Sequence, residues 1–309
     1  MKGHSIFENK KVMIITAVCC CIAWSSALPS LKISFSMLNI TGDFEKILFG
    51  GLRYMLAGMG VLVFARLKQK KRVALKRKDV PFTLLIAFLQ TFGAMILCYI
   101  GISNTTGVKC SILIPTSVFM VALLAHFMFK NDKLNGRKVI GLLLGFAGVL
   151  VVNVSLLGGE EASFRFMGEG FILISVAMGA LTMVLIRKYG GRFDTVLLNG
   201  RQLLLAGAGM CVVGFIGHPH LPVFNIATGA LFIHLAAVTA VCFTLWFVML
   251  GHHNASLLEQ YKFIVPISGS LLSVLLLPGE HIGIEILIAV LLVSVGTIIV
   301  NRQDSIATL

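Results

Sequence analysis

The sequence predicts an all-α integral membrane protein with ten transmembrane helices, arranged as two inverted five-helix repeats. Three observations support this fold class. First, 57% of the 309 residues are hydrophobic and only 13% are charged, whereas a soluble chain carries about 25% charged residues; the mean hydropathy is +0.95. Second, apolar runs of about 20 residues, enough for a helix to cross a bilayer, recur along the chain. Third, several motifs occur twice at nearly one spacing.

The apolar runs define the predicted spans. They are uniformly apolar and do not alternate with a period of two residues. Because unpaired backbone groups are too costly in hydrocarbon, such runs must be helices and not barrel strands. The predicted helices cover residues 12–33, 44–65, 81–101, 108–129, 138–157, 169–187, 195–217, 228–250, 255–277 and 283–301.

The positive charges predict how these helices are oriented. Of the 26 Lys and Arg residues, 19 lie before the first span, after the last one or in the even-numbered connections, and only Lys46 and Arg165 lie in odd-numbered connections. The positive-inside rule therefore puts both termini in the cytoplasm. The most basic connection, 66–78, predicts contact with anionic lipids of the bilayer and no binding of nucleic acid.

Internal repetition divides the chain into two halves of five spans each, residues 1–157 and 158–309. Because each half has an odd number of spans, the second must enter the membrane from the opposite side, an arrangement typical of alternating-access carriers. The repeated motifs, at spacings of 148 to 151 residues, are GLRYMLAG (51–58) with GRQLLLAG (200–207), TTGVKCSILIP (105–115) with SLLEQYKFIVP (256–266), and GFAGVLVVN (145–153) with VSVGTIIVN (293–301).

These paired features resemble a known family, the EamA type of the drug/metabolite transporter superfamily. The resemblance covers almost the whole chain. In that family a short acidic turn, commonly Gly-Glu, precedes the fifth or tenth helix; Gly279-Glu280 matches it and Asn131-Asp132 departs from it. The residues that carry the resemblance are the Arg-led spans above, Pro115 and Pro266 in the fourth and ninth spans, and the closing units KNDKLNGRKVIGLLLGFAGVLVVN (130–153) and PGEHIGIEILIAVLLVSVGTIIVN (278–301).

The resemblance implies a secondary active or exchange transporter that moves a small organic metabolite, often as efflux of an amino acid, through a cavity between the halves. Short connections without sorting motifs suit a bacterial inner membrane. The small-residue face of Gly141, Gly145 and Gly148 packs either within the fold or in a homodimer, so the chain is expected to be a monomer or a homodimer.

Other classes of function lack their motifs. A membrane-embedded enzyme would need a paired His and carboxylate, G-x-S-x-G or H-E-x-x-H within a span, and no such catalytic motif is present. The seven Cys form no C-x-x-C pair and the paired His residues have no third ligand, so neither a metal nor another cofactor is expected. A channel would predict a continuous polar stripe, which most spans lack.

Ionisable residues inside the spans are the candidate site, because such a group in hydrocarbon needs a partner or a wet cavity. Glu259 is the one acid counted in such a position. The cations there are Lys32, Arg53, Lys109, Arg201 and Lys262.

Glu259 and Lys262 stand three residues apart on one helix. They either neutralise each other in a helix interface, or Glu259 holds Lys262 toward a cavity beside Pro266, or Lys262 snorkels to the interface. Lys109, six residues before Pro115, either binds substrate toward the opposite face or marks the outer interface. Cations toward both ends of a cavity predict an anionic or zwitterionic substrate, such as an organic acid or an amino acid. The alternative is an exporter of amphipathic or cationic drug-like compounds in which Glu259 couples transport to protons.

Further residues complete the predicted site. Arg53 and Arg201 occupy near-equivalent places in the repeats and either bond helix-end carbonyls and stabilise a closed gate, or contact the substrate. Lys32 is expected to snorkel. Trp24 and Trp246 lie well inside their helices and either pack in the bundle or line the cavity. The same alternatives hold for the remaining polar residues of the predicted site, Tyr99, Tyr261 and Gln90.

Overall fold

The computed structural model describes residues 6–68, 70, 76–153, 164–217, 220–276 and 284–304. Within these ranges the chain is helical and forms no β-strand. The α-helices are α1 (Lys10–Ser25), α2 (Ala27–Met37), α3 (Asp43–Leu67), α4 (Val80–Ile86), α5 (Gly93–Ser103), α6 (Gly107–Leu113), α7 (Ser117–Met128), α8 (Gly136–Asn153), α9 (Phe171–Tyr189), α10 (Thr195–Gly217), α11 (Ile226–Leu250), α12 (Ala255–Gln260), α13 (Ile264–Leu276) and α14 (Ile284–Asp304).

Seven stretches of the described chain are long and apolar enough to cross a membrane, and they match the first four and the sixth to eighth predicted spans. The other three predicted spans contain α8, the pair α12 and α13, and α14, which are helical but are not among the seven. The all-helical prediction is therefore confirmed for the described residues, and the count of ten spans stays a prediction. The seven stretches are Lys10–Met37, Asp43–Leu67, Arg77–Ser103, Lys109–Met128, Phe166–Arg192, Thr195–Gly217 and Ile226–Leu250.

Several features of the sequence prediction fall outside the described residues. These are the boundary between the two repeats after residue 157, the Gly279-Glu280 turn and part of the basic connection 66–78. Their predicted roles therefore stay predictions.

Polar side chains fix where several helices begin. Asn9 accepts a hydrogen bond from the Lys11 N–H at 2.9 Å, and Asn225 accepts one from the Thr228 N–H at 2.8 Å. Asp194 accepts hydrogen bonds from two N–H groups in the first turn of α10, both at 3.1 Å. These side chains satisfy backbone donors that have no partner within the helix.

Altered helical turns interrupt three of the predicted spans. Pro115 lies in the 3₁₀ turn Ile114–Thr116 between α6 and α7, and Pro266 follows the 3₁₀ turn Tyr261–Phe263 between α12 and α13. Proline has no N–H to continue the i→i−4 ladder, which accounts for an interruption near each. A π-helical turn, Ala87–Phe92, separates α4 from α5, and such turns are frequent at functional sites.

The closest helix packing joins α3 to α10 through glycine. A Cβ atom on Gly51 would lie 2.9 Å from the Gly207 carbonyl oxygen, and one on Gly58 would lie 2.8 Å from the Gly200 carbonyl oxygen. Real Cβ atoms do not approach backbone this closely, so only glycine permits the contact. The GLRYMLAG and GRQLLLAG motifs are thus complementary surfaces of one helix pair.

The pair α8 and α14 packs in the same way. A Cβ atom on Gly141 would lie 2.7 Å from the Gly296 carbonyl oxygen, and one on Gly148 would lie 3.1 Å from the Ala289 carbonyl oxygen. A Cβ on Gly145 would meet the ring of Phe263 at 2.3 Å. The face formed by Gly141, Gly145 and Gly148 therefore packs within the fold, which is one of its two predicted roles.

One cluster of buried apolar residues joins many helices at one end of the molecule. We call this end the basic end, because there α3 connects to α4, α7 to α8 and α9 to α10 through Lys- and Arg-rich segments. One buried cluster at this end joins seven helices, α1, α4, α7, α9, α11, α12 and α14. At the opposite end the described core is divided into smaller clusters, such as Ile40 with Phe49 and Leu235, and Cys110 with Ile172 and Val176. The basic end also holds a separate cluster, in which Val61, Leu62 and Ala65 of α3 pack with residues of α10.

Replacing Gly58 with Val should destabilise the protein, because a Cβ atom there would lie 2.5 Å from the Leu204 main-chain nitrogen. We expect a loss of about 1–3 kcal/mol, measured as a lower midpoint of thermal unfolding in detergent. Gly60→Val is the matched control, since no atom lies within 4 Å of its Cβ position. Equal midpoints for the two variants would contradict the close contact of α3 with α10.

Candidate functional site

Glu259 and Lys262 form an ion pair inside the helix bundle. Glu259 is on α12 and its side chain is fully buried, whereas the Lys262 side chain, on the following 3₁₀ turn, is 24% exposed. Glu259 Oε2 lies 2.7 Å from Lys262 Nζ. Residues three apart are eclipsed in a 3₁₀ helix, so the turn beginning at Tyr261 helps to bring the two side chains to one side.

Two tryptophans surround this ion pair. The Trp246 Nε1–H donates a hydrogen bond of 2.8 Å to Glu259 Oε1. Lys262 Nζ lies 5.7 Å from the centre of the Trp24 ring and 5.4 Å from that of Trp246, within the range of cation–π attraction. The two indole rings are in contact, with centroids 4.9 Å apart. We call these four residues, Glu259, Lys262, Trp24 and Trp246, the ion-pair site.

The second oxygen of Glu259 is incompletely bonded. Oε1 accepts the tryptophan hydrogen bond, but the buried Oε2 receives no hydrogen bond from the described residues. Its contact with Lys262 Nζ is short enough for an ion pair, although its angles are not those of a hydrogen bond. The carboxylate therefore depends on one nearby cation that does not bond it fully.

Lys109 has a partner that the sequence reading missed. Its Nζ lies 2.9 Å from Glu169 Oε1, and Glu169 also accepts hydrogen bonds of 2.7 Å each from the Thr105 hydroxyl and the Arg165 N–H. Counting Glu259 as the one acid inside a span was wrong, because Glu169 is buried and lies in Phe166–Arg192. Its position at the first residue of a predicted apolar span was the available signal.

A third polar cluster closes the basic end. Asp132 Oδ1 lies 2.6 Å from Lys138 Nζ and accepts a hydrogen bond from the Ser256 hydroxyl. The Ser256 N–H, in the first turn of α12, donates to Asp132 Oδ2 at 3.1 Å. All three residues are buried. A carboxylate at a helix N-terminus is favoured by the helix dipole and by the free N–H groups there.

The sequence reading did not find this cluster. It counted Lys138 among the cytoplasmic charges, and Asp132 only as a departure from the Gly-Glu pattern of the family. The signal was an acid at the position of the family's acidic turn. Its partner Ser256 is distant in sequence, so residue spacing alone could not identify the contact.

Arg53 is buried beside two tyrosines. It donates hydrogen bonds to the Tyr54 hydroxyl at 2.7 Å and to the Tyr99 hydroxyl at 3.4 Å, and its guanidinium lies 4.6 Å from the centre of the Tyr54 ring. Its Nε has no hydrogen-bond partner among the described residues. These bonds go to phenol oxygens and not to the helix-end carbonyls that the sequence suggested. Arg201 is only half-buried, so the two arginines do not share one environment.

The remaining predicted site residues are distributed through the bundle. Tyr261 is 2% exposed and belongs to the core of the basic end. Gln90 is buried on the π-helical turn, where its Oε1 has no partner in the described chain. The exposed side chain of Lys32 is consistent with snorkelling. The structure thus brings Lys262, Glu259, Trp24 and Trp246 together and leaves Lys109 and Tyr99 in two other polar clusters.

Ion pairs buried among membrane-length helices are typical of polytopic membrane proteins that move solutes or ions, because charged residues inside a membrane mark the pathways of these molecules. The chain belongs to the EamA-like transporter family, whose model matches residues 11–154 and 166–302. It is therefore an integral membrane protein of a transporter family, and the names of the family and of its members indicate transporters and not enzymes.

Similar proteins have matching lengths. The chain is 24% identical to the transporter YoaV of Bacillus subtilis, over 82% of this chain and 86% of that protein. It is 25% identical to an Escherichia coli protein named "Probable amino-acid metabolite efflux pump", over 80% of this chain and 83% of that protein. A crystal structure of a protein with 18% sequence identity shares the fold with a TM-score of 0.78, over 93% of this chain and 97% of the other.

Replacing Lys262 with Met should destabilise the protein by about 3–5 kcal/mol, because the fully buried Glu259 would lose its cation. Thermal unfolding in detergent measures this loss. The double variant Glu259→Gln with Lys262→Met should recover most of it, since no buried charge remains. Lys46→Met is the control: Lys46 and Asp43, 3.8 Å apart, are a more exposed pair with the same i,i+3 spacing, so its removal should cost less than about 1 kcal/mol. An unfolding midpoint of Lys262→Met equal to that of the control would contradict the burial of the pair.

Proposed function

We propose that this protein is a carrier that works by alternating access and exports a small anionic or zwitterionic metabolite, such as an organic acid or an amino acid. The observation that carries the proposal is the ion-pair site. A fully buried carboxylate, a partly exposed ammonium and two contacting indole rings form a polar and aromatic surface inside an apolar bundle. Ligand sites of this kind combine apolar walls with a few well-placed charges.

The proposed architecture is ten spans in two inverted repeats, residues 1–157 and 158–309. The glycine contacts support it. Gly51 and Gly58 correspond in the repeat to Gly200 and Gly207, yet Gly51 faces Gly207 and Gly58 faces Gly200. In such a reciprocal contact each residue meets the counterpart of the other, which is the pattern produced by a two-fold axis. The family model likewise matches in two separate segments.

The helix pair α8 and α14 supports the same axis. Gly141 corresponds to Ala289 and Gly148 to Gly296, at a spacing of 148 residues. Their contacts are again reciprocal, Gly141 with Gly296 and Gly148 with Ala289. Two helix pairs with this pattern are expected when the second half of the chain enters the membrane from the opposite side.

Two of the polar clusters are suited to act as gates, because each joins a residue of the first half to one of the second half. Asp132 and Lys138 meet Ser256 at the basic end, and Lys109 meets Glu169 near the other end. Alternating access requires that the two ends open in turn. The buried contact of Asp132 and Lys138 with Ser256, together with the apolar cluster that joins seven helices at the basic end, supports a conformation that is closed on that side.

The direction of export and the kind of solute are supported by two observations. The E. coli relative carries the name of an amino-acid metabolite efflux pump. In addition, the Lys262 side chain is 24% exposed although its ammonium is paired with Glu259. An ammonium can form a charge-assisted hydrogen bond with a solute carboxylate. Lys109, Gln90 and Tyr99 stay candidate contacts of the same solute.

One observation favours the alternative, an exporter of cationic or drug-like compounds. Glu259 and the faces of Trp24 and Trp246 are all groups that attract a cation, and a buried carboxylate is suited to carry a proton. The short contact with Lys262 opposes this alternative, because the lysine ammonium already occupies the place beside Glu259 that a cationic solute would need.

We also propose that both termini and the basic end face the cytoplasm of a bacterium, with the protein in the inner membrane as a monomer or homodimer. The basic residues of connection 66–78 that the structure describes are exposed, which suits contact with anionic lipids. They are Arg66, Lys68, Lys70, Lys76, Arg77 and Lys78.

Cysteine labelling tests this orientation. In a variant without the native cysteines, Thr41→Cys should react with a membrane-impermeant maleimide in intact cells. Lys133→Cys should react only in inside-out vesicles, because its connection belongs to the basic end, which the positive-inside rule puts in the cytoplasm. Both positions are exposed. The reverse pattern, or equal labelling of both from one side, would overturn the topology.

Transport by the purified protein tests the function. Proteoliposomes loaded with a pool of amino acids and organic acids should release at least one of them faster than protein-free liposomes, as measured by mass spectrometry of the medium. Lys262→Met should slow this release about tenfold or more, because the solute carboxylate loses its charge-assisted contact with the lysine ammonium, while Lys46→Met should not change it. If no solute in the pool leaves faster than from protein-free liposomes, the proposed substrate class is wrong.

A further inference from the structure

The ion-pair site is electrically neutral as it stands. Lys262 compensates Glu259 at 2.7 Å, and both indole faces are turned to the same ammonium. A solute that bound without displacing Lys262 would meet an ammonium that is already paired with Glu259. The question is therefore which charges a solute must carry in order to compete with the contacts that already exist.

A solute with one charge would leave part of the site uncompensated. An anion that drew Lys262 toward itself would leave the fully buried Glu259 without a cation. A cation that took the position of Lys262 would instead separate that ammonium from Glu259, the acid that now compensates it. Either outcome leaves an unpaired charge in a low-dielectric surrounding, which costs several times as much as a pair.

A zwitterion avoids both penalties. We propose that the transported solute inserts into the Glu259–Lys262 ion pair, with its ammonium against Glu259 Oε2 and its carboxylate bound by the displaced ammonium of Lys262. This inference rests on the proposed carrier function and narrows its substrate class to zwitterions such as α-amino acids. One ion pair becomes two, so every charge keeps a partner before and after binding.

The geometry of the site suits this exchange. Glu259 Oε2 is buried and receives no hydrogen bond from the part of the chain that the structure describes, so a solute ammonium with better angles can bond it more completely than Lys262 does. The solute ammonium would also lie over the faces of Trp24 and Trp246, which lie 5.7 Å and 5.4 Å from the present cation. Trp246 holds the other carboxylate oxygen in place through its own hydrogen bond.

Lys262 is equipped to move. Its side chain is partly exposed, and the four-carbon stem of lysine allows its ammonium to shift by several ångströms without movement of the backbone. The ammonium and carboxylate of an α-amino acid are close neighbours, so a short shift is enough to admit them. Insertion needs no proton or inorganic ion to balance charge, which predicts uniport or exchange of one zwitterion for another.

Binding to the parent protein is the primary test. The probes are leucine, methionine and phenylalanine, each compared with its deaminated acid and its decarboxylated amine; both analogues are smaller than the amino acid, so neither is excluded by size. Equilibrium dialysis of the protein in detergent gives the three dissociation constants. We expect at least one amino acid to bind about tenfold or more tightly than both of its analogues, since each lacks one charge-assisted contact.

Two variants should change this preference in opposite directions. In Lys262→Met the unpaired Glu259 should bind the amine most tightly, and in Glu259→Gln the unpaired Lys262 should bind the acid most tightly. The control Lys46→Met, which alters an acid–lysine pair outside the site, should keep the order of the parent. If a single variant does not fold, Glu259→Gln with Lys262→Met takes its place, and this neutral double variant should lose the preference for the zwitterion.

The outcomes separate the insertion from the carrier function. If the acid or the amine binds the parent as tightly as every amino acid tested, the insertion is wrong, and release from proteoliposomes can still establish a carrier of singly charged solutes. If the amino acid binds as expected but is not released from proteoliposomes, the site is correct and the carrier function is wrong. Unchanged preferences in both single variants would place the zwitterion at another site and overturn the proposal.

Discussion

The low dielectric of the membrane is the constraint on which this structure depends, because each buried charge must find its partner within the protein. Lys262 is held by Glu259, Lys109 by Glu169, and Lys138 by Asp132. These contacts are distributed along the bundle. Lys109 and Glu169 belong to different halves of the chain, and the Lys138–Asp132 pair reaches the second half through its hydrogen bonds with Ser256. Arg53 differs, since the described chain gives it two phenol oxygens and an aromatic face in place of a carboxylate. The polar clusters therefore hold the helices together, and in the proposed carrier two of them would be the gates.

Features that depend on residues close together in the sequence could be predicted, whereas contacts between residues far apart in the sequence could not. Apolar runs act locally, so the positions of most helices could be predicted, whereas the π-helical turn Ala87–Phe92 has no local signal of this kind. The Glu259–Lys262 contact could also be predicted, because the two residues share one turn. The contact of Lys109 with Glu169 joins residues far apart in sequence and was missed. Trp246 was a candidate as an isolated aromatic residue, but only the folded bundle sets its Nε1 against Glu259.

The repeated motifs were informative in a different way. Similarity between Gly51 and Gly200, or between Gly58 and Gly207, indicated duplicated sequence but not what the glycines touch. In the structure they touch across the two halves, where each permits a backbone contact that any larger residue would block. Both glycines of such a contact must stay glycine, because a Cβ atom on either one would collide with the other helix. Gly60, also on α3, meets no comparable constraint, because its Cβ position is open.

The glycine contact also limits how the bundle can move. Where backbone touches backbone at two points seven residues apart, neither α3 nor α10 can slide along the other without a collision. The pair is therefore a rigid unit of fixed register. In the proposed alternating-access cycle, the other helices would have to tilt relative to this unit, and the interruptions between α6 and α7 and between α12 and α13 are the places where the backbone could bend.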